Sequence, residues 1–307
     1  MGRLHQRLNQ GQRDFRKGQR TDESAWDQDD LKSRLVSHVQ QLSCDRNPFF
    51  DTQGHFYVQQ YIKQQLSPWG TVVSQTFQNK GRPHHNWCLN LPGHSTSELA
   101  PIIVGAHYDT VPGTVGADDN ATGLAVLIEL ARLWSIQPGR RPLWLVAFDL
   151  EEFGWGGSRD YVNRLVAQRQ PVHLMLSLEM LGYCDSTPGS QRYPAKLERL
   201  YPNTGDFIAL IGNWQRIPTL MRLKRALLER GTPCQWLPMV AAGRALPATR
   251  RSDHAPFWDA GYDAVLVTDT ADLRNPHYHR ASDTTDTLDF DFLTGVCGGL
   301  LTGLQRL

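Results

Sequence analysis

The stretch LWLVAFDLEEFGWGGS, residues 143–158, decides the fold. Its apolar part, residues 143–149, has the length and composition of a buried strand. Two adjacent glutamates, Glu151 and Glu152, follow directly, and glycines come after them. Like charges repel each other in a buried environment, so a folded protein keeps such a pair where a cation lies between them or where chemistry needs them.

Apolar runs of strand length alternate with helical patterns on both sides of this stretch. Strands are predicted at residues 102–107, 143–149, 173–180, 206–213 and 263–269, with helices at 122–135, 157–169, 217–230 and 288–306. Two helices at 27–43 and 53–66 and two strand-like runs at 71–77 and 86–93 precede them. This alternation predicts an α/β protein of three layers, in which a mostly parallel, mixed sheet carries helices on both faces.

The composition limits the classes of partner. The 307 residues include 32 Lys and Arg and 31 Asp and Glu, which argues against a nucleic-acid partner. No apolar run has the length of a membrane span, so no membrane partner is expected. The five cysteines are odd in number and form no CxxC pair, which is typical of reduced thiols.

The amino-terminal segment is polar and basic. We expect residues 1–25 to be a disordered leader and residues 26–307 to form one domain. The leader lacks the apolar middle region of a secretory signal, so a cytoplasmic location is expected, provided that no signal has been removed.

Chemically active side chains follow the predicted strands where each strand ends. His107 and Asp109 come after one strand, Glu151 and Glu152 after the next, and Glu179 lies at the end of a third. Each signal alone is weak, since a histidine beside an aspartate is most often a surface feature. Together they matter, because ligands of open α/β sheets bind beyond the carboxyl ends of the strands.

Two further segments add donors to this edge. The loop GADDNATG, residues 116–123, carries adjacent aspartates, which by themselves serve turns and helix caps more often than metals. The last strand is followed by His277 and His279. Carboxylates with imidazoles suit zinc or a similar divalent ion, and two metals about 3.5–4 Å apart form a known hydrolytic device. One glutamate of the 151–152 pair would then be a ligand and its neighbour a general base.

The segments HYD, GADDNATG, DLEEFGWGGS, LEML and NPHYH occur in the order and approximate spacing of the zinc-dependent aminopeptidase family that includes bacterial leucyl aminopeptidase. Glutamate carboxypeptidase II and the glutaminyl cyclases are distant relatives of that family. The resemblance covers roughly residues 27–307. It implies one metallopeptidase catalytic domain that binds two zinc ions and removes amino acids from peptides with a free N-terminus. A monomer is favoured, although the sequence does not decide the oligomeric state.

The resemblance also implies roles by position. The positions that match metal ligands are His107, Asp119 and Glu179 for one zinc ion, and Asp119, Glu152 and His279 for the other. Asp119 is then the bridging ligand, Glu151 the general base and Asp109 the acid that orients His107. A strained or cis peptide is implied after Asp119.

Alternative functions stay open at this point. Many family members have aspartate where this chain has Glu179, and the single-zinc glutaminyl cyclases often have glutamate there. A glutaminyl cyclase-like acyltransferase is therefore one alternative, and a metal-binding protein without catalysis is another. HYDTVP, residues 107–112, also fits a related two-metal carboxypeptidase and deacylase group. That group inserts a separate domain before its last histidine, whereas predicted elements of the main sheet already occupy this interval here.

The roles of several neighbouring residues are undecided in the sequence. His254, in RRSDHAPF, is expected either to line the pocket or to play a structural role. Residues 182–206 are long, polar and rich in proline, and we expect them to roof a cleft. Aromatic side chains that would wall the pocket or pack in the core are Trp155, Phe257 and Trp258, and speculative substrate contacts are Arg192 and Tyr193.

Overall fold

The computed structural model describes residues 26–50, 52–194 and 197–307. The segment 1–25, for which a disordered leader is expected, lies outside the described residues. Among the described helices, none combines the length and the apolar character that crossing a membrane requires.

The helices and strands of the described residues follow the order that the sequence predicts. The strands are β1 Val72–Asn79, β2 Arg82–Leu91, β3 Ile102–His107, β4 Leu143–Phe148, β5 Leu174–Glu179, β6 Ile208–Asn213, β7 Cys234–Met239 and β8 Ala264–Thr268. The helices are α1 Gln28–Leu42, α2 Thr52–Leu66, α3 Gly123–Ile136, α4 Gly156–Ala167, α5 Ile217–Glu229, α6 His254–Asp259 and α7 Phe290–Gln305. Short 3₁₀ turns and a helical turn at Ala117–Thr122 join them.

All eight strands belong to one sheet, in the order β1-β2-β4-β3-β5-β8-β6-β7. The four central strands, β4, β3, β5 and β8, are parallel to one another. The hairpin β1–β2 joins β4 in antiparallel fashion, and β6 lies antiparallel to β8. The predicted fold class is therefore confirmed, and the four parallel carboxyl ends meet at one edge.

Helices cover both faces of the sheet because the central strands are buried on both sides. Ile102, Val104 and Ala106 of β3 pack with helices α1, α2, α3, α5 and α7 on one face. Ile103, from the alternate position, packs on the other face with residues of α4 and α6. Successive side chains of a strand point to opposite faces, so a continuous apolar run such as IIVGAH packs into the hydrophobic cores on both faces of the sheet.

Two elements were not predicted, β7 and α6. Strand β7, CQWLPM, lies at the edge of the sheet and includes Pro238, which obscures a strand pattern. Helix α6 is six residues long, too short for a helical period to show in the sequence.

Candidate active site

The carboxyl ends of the parallel strands bring the predicted donors together. His107 is the last residue of β3 and Glu179 the last of β5, and β3 pairs with both β4 and β5. Glu151 and Glu152 follow the end of β4 by three and four residues. The strand order thus places three of the predicted segments side by side.

Asp119 lies at the centre of this cluster, between two histidines. Its Oδ1 is 3.2 Å from Nε2 of His107, and its Oδ2 is 3.2 Å from Nε2 of His279. Glu179 Oε1 lies 3.3 Å from the same nitrogen of His107, and Glu152 Oε2 lies 3.2 Å from that of His279. The five predicted ligand residues therefore form two triplets that share Asp119.

The donor set has the chemistry and the spacing of zinc ligands. Two atoms bound to one tetrahedral zinc ion at about 2.0–2.1 Å lie about 3.3–3.4 Å apart, close to the spacings within each triplet. Asp119 Oδ1 and Glu152 Oε1 are buried without a hydrogen-bond partner. Buried polar oxygens are rarely left unsatisfied, so these two atoms indicate that the site is built for a cation. Imidazole and carboxylate groups are also the ligands that zinc prefers besides thiolates.

The charges of the site favour positive charge at its centre. Burial would lower the pKa of His279, but contacts with Asp119 and Glu152 outweigh it and raise this pKa to about 10. Burial likewise opposes the charge on His107, yet nearby carboxylates, Glu179 foremost, hold its pKa well above 6.5. Protons and a divalent cation therefore compete for the nitrogens of His107 and His279.

Asp109 organises the site in a way that differs in detail from the expectation. His107 Nδ1 lies 3.1 Å from the backbone carbonyl oxygen of Asp109, and the carboxylate is 3.5 Å away. The carboxylate instead accepts the backbone N–H groups of Glu151 at 3.0 Å and Glu152 at 3.1 Å. The carbonyl contact makes Nδ1 the protonated nitrogen of His107 and leaves Nε2 free for a metal.

Glu151 is a buried carboxylate with one side-chain donor. The indole Nε1 of Trp155 donates a hydrogen bond to its Oε1 at 3.1 Å. Burial, together with Glu179 and Glu152, raises the pKa of Glu151 well above its usual value, although His107 opposes the shift. An oxygen with a raised proton affinity beside a cation site is suited to proton transfer.

The loop that carries Asp119 is held by hydrogen bonds from several elements. Asp283 accepts the backbone N–H groups of Asp118 and Asp119 at 2.9 and 3.1 Å. Asn120 donates to the carbonyl oxygen of Leu178 and accepts from two backbone N–H groups. The peptide bond between Asp119 and Asn120 is cis, as the family resemblance implies.

A cleft opens beside Glu179 and Tyr278, over strands β6, β7 and β8. Most of its wall is apolar or aromatic, and the side chains that line it include Tyr193, Tyr201, Phe207, Ala209, Trp236, Leu237, Leu246, Leu266 and Leu273. Two of these, Tyr193 and Tyr201, belong to residues 182–206, so the predicted roof segment does border a cleft. The cleft therefore connects the cation site with a pocket for an apolar group.

Of the other residues predicted near the site, the structure places some in the cleft and others in the core or in other contacts. Tyr193 lines the cleft, whereas Arg192 donates to the backbone carbonyl of Asp272. Phe257 and Trp258, both on α6, are buried in the core that α6 and α4 form on one face of the sheet. His254 is fully buried, and its Nε2 lies 2.8 Å from the carbonyl oxygen of Thr249. This histidine therefore has a structural environment.

Two side chains that contact the side chains of predicted ligands are not identified by the sequence. Ser252 donates to Glu179 Oε2 at 2.6 Å, and the ring of Tyr278 stacks on that of His279 at 3.7 Å. Tyr278 precedes His279 directly, which is a signal that sequence inspection can use. Ser252 approaches Glu179 only because α6 packs against β5.

Known proteins share sequence with this chain. The model for peptidase family M28 matches residues 86–213. The uncharacterized protein YfbL of Escherichia coli is 37% identical over 261 residues, which cover 80% of this chain and 79% of the relative. Aminopeptidase YwaD of Bacillus subtilis is 28% identical, and the match covers 66% of this chain but only 39% of that longer protein.

Solved structures share the fold. A zinc aminopeptidase from Bacillus subtilis superimposes with a TM-score of 0.55 at 24% identity, covering 73% of this chain and 50% of that one. Glutaminyl cyclase from Porphyromonas gingivalis has a TM-score of 0.67 at 18% identity, covering 90% of this chain and 99% of that one. The resemblance seen in the sequence is confirmed: the chain belongs to peptidase family M28 and is a zinc-dependent hydrolase.

Proposed function

We propose that the protein is a two-zinc aminopeptidase that removes N-terminal residues from peptides. One observation carries this proposal: the two carboxylate oxygens of Asp119 face different histidines, His107 and His279, each at 3.2 Å. A carboxylate placed in this way suits a bridge between two cations. Glu179 and Glu152 complete the two triplets, so each ion would have three protein ligands and an open position.

The residues around that site have different roles in the proposed reaction. Zinc, when bound, supplies Lewis-acid polarisation of the scissile carbonyl and lowers the pKa of water. Glu151 accepts the proton of the attacking water and passes it to the leaving amine, because its buried carboxylate has a raised proton affinity. Trp155 orients this carboxylate through its indole N–H.

Asp109 positions both functional glutamates through their backbone. Its two carboxylate oxygens accept the N–H groups of Glu151 and Glu152, and its carbonyl oxygen fixes the orientation of the His107 ring. One side chain thus links the ends of β3 and β4. Holding the proton acceptor and the ligands in one geometry lowers the reorganisation that the reaction requires.

The cleft supports a preference for large apolar N-terminal side chains. Its wall beside Glu179 is built from aromatic and aliphatic side chains such as Phe207, Trp236 and Leu266. Burying a leucyl or aromatic side chain there contributes about 1.5–3 kcal/mol of binding free energy. Besides Glu179, the two charged side chains that line the cleft, Arg251 and Asp272, are paired with each other at 2.6 Å, so a charged N-terminal side chain would have to compete with that pair to replace its lost hydration.

The test combines activity with metal content. Purified protein is assayed for release of the chromophore from a leucyl anilide, before chelation, after chelation and after zinc is restored. The proposal predicts chelator-sensitive activity that returns as a second zinc ion binds. Ammonia release from N-terminal glutamine with one zinc ion per chain, and no anilide hydrolysis, would instead support a glutaminyl cyclase. Two bound zinc ions without turnover of any peptide would refute the enzymatic proposal.

A further inference from the structure

Arg46 is a fully buried arginine behind the cation site. It follows the end of α1, and its backbone N–H donates to Thr110 Oγ1 at 3.0 Å, which anchors it against the segment after β3. Among the described residues, no carboxylate forms an ion pair with its guanidinium. A buried charge is costly unless it is well hydrogen-bonded, so the contacts of this side chain require an explanation.

Backbone carbonyl oxygens take the place of a counter-ion. The nitrogens of the guanidinium lie 2.5 to 3.3 Å from six of them, and Nη1 shares its two hydrogens among three: the six are those of Leu42, Cys44, Tyr108, Val115, Gly116 and Asp119. These carbonyls come from three segments, namely the end of α1, the end of β3 and the loop that leads to Asp119. One side chain therefore ties three segments together at the back of the site.

One of these contacts is made to a predicted ligand, and another to the residue that follows one. The carbonyl of Asp119 itself lies 3.3 Å from Arg46 Nη2, and the carbonyl of Tyr108 follows His107 in the chain. Gly116 allows the close approach, since a Cβ atom built there would lie 2.7 Å from Arg46 Nη2. Its φ of +58° also suits glycine.

Asp283 holds the same loop from the other side. It accepts the N–H groups of Asp118 and Asp119, while Arg46 donates to the carbonyls of Gly116 and Asp119. The peptide groups around Asp119 are thus fixed through both their donors and their acceptors. Charge-assisted hydrogen bonds are stronger than neutral ones, so this clamp resists rotation of the loop.

We propose that Arg46 is a positioning residue for zinc binding: by gathering the carbonyls around Asp119 and Tyr108, it keeps the carboxylate of Asp119 between His107 and His279. This inference rests on the two-zinc site of the proposed function. Replacing Arg46 should lower the affinity for zinc, and it should lower turnover only as a result of that loss. The reason is that Arg46 is fully buried and reaches the site through backbone carbonyls.

The test compares Arg46→Met with a matched control, Arg141→Met. Arg141 is partly buried and also donates to backbone carbonyls, those of Leu307 and Ala100, both at 3.2 Å, but it lies before the amino end of β4. Zinc affinity is measured by competition with a chromophoric chelator. Disturbing a group that orients metal ligands typically weakens binding by about 10- to 100-fold, and we expect this loss in Arg46→Met. Arg141→Met should bind zinc like the wild type.

A spectroscopic readout separates positioning from general destabilisation. The visible spectrum of the cobalt-substituted protein reports the ligand geometry, so we expect it to change in Arg46→Met and to stay unchanged in Arg141→Met. Arg46→Lys keeps the charge but has three donors on one nitrogen, and it should recover part of the zinc affinity. If Arg46→Met does not fold, Arg46→Lys provides the test. Weaker zinc binding than in the wild type, with unchanged stability of the zinc-free protein, then supports the inference.

The possible failures are distinguishable. Wild-type zinc affinity and cobalt spectrum in a folded Arg46 variant would overturn the inference and leave the proposed function intact. Equal losses of zinc affinity in Arg46→Met and Arg141→Met would also overturn it, because the effect would then be general. If the wild-type protein bound no zinc, the proposed function would fail, and the inference would fall with it.

Discussion

Glu151→Gln is the substitution that tests the proposed chemistry most directly. Glutamine keeps the size of the side chain and an oxygen that can accept the hydrogen bond of Trp155, but it cannot take a proton. Glu151 belongs to neither of the triplets that share Asp119, although its carboxylate lies within 4.8 Å of ligand atoms of His107 and Glu152. We therefore expect the variant to keep two zinc ions while losing the proton acceptor.

The expected loss follows from the role of the group. A positioned general base contributes about 10²- to 10⁴-fold to the rate, which corresponds to about 3–5 kcal/mol of the activation barrier. The stability of the zinc-free protein should not fall. Burial raises the pKa of Glu151 well above 4.5, which means that the buried charge is unfavourable, and the neutral amide removes that cost.

The assay measures kcat/KM for a leucyl anilide at saturating zinc, with metal content determined on the same samples. Trp155→Phe is the control, because it removes the indole N–H that contacts Glu151, keeps an aromatic ring, and should cost about fivefold, the effect of one hydrogen bond. If Glu151→Gln kept its kcat/KM within tenfold of wild type, the general-base role would be wrong. If activity and zinc were lost together, Glu151 would be a ligand.

Three further predictions concern the cleft and the framework. Ala209 lines the cleft, so Ala209→Phe should reduce kcat/KM for a leucyl anilide by about 10-fold or more and affect an alanyl anilide less; equal losses would place the substrate side chain elsewhere. Burial lowers the pKa of His254 to about 4, so the unfolded chain binds more protons between pH 6.5 and 4. The contribution of His254 to stability should therefore fall by up to about 3 kcal/mol as the pH drops through this window, and the free energy of urea unfolding of the wild type should fall relative to that of His254→Gln by this amount. Glu129 is a fully buried carboxylate that contacts His38 at 3.1 Å and Arg132 at 2.7 Å. Glu129→Gln removes the buried negative charge that faces Arg132 and should lower the free energy of unfolding by about 3 kcal/mol, and an unchanged value would show that this ion pair adds nothing.

Most of the fold can be predicted from local patterns. Strands such as IIVGAH are apolar throughout because both faces of the central sheet are covered by helices. The elements that escape prediction, β7 and α6, are an edge strand with a proline and a helix too short to show a period. Local pattern is informative where burial is regular and uninformative where an element is brief or lies at an edge.

Prediction of the site depends on the same topology. Donors at the ends of β3, β4 and β5 come together because parallel neighbouring strands end at one edge, and the sequence alone indicates this grouping. Arg46 and Ser252 give no such signal. Their contacts with Asp119 and Glu179 join segments that are far apart in the chain, and no local spacing encodes them.

The sequence by itself determines which donor groups are present, their order along the chain and the strand ends that carry them. Only the tertiary structure decides that one oxygen of Asp119 faces His107 and the other His279, and that Asp109 accepts the backbone of two glutamates. The cleft beside Glu179 is decided in the same way, since its wall comes from segments that meet only in the folded chain. The physical reason is that hydrophobic periodicity acts between near neighbours, whereas strand register and loop closure set ångström-scale distances between remote residues.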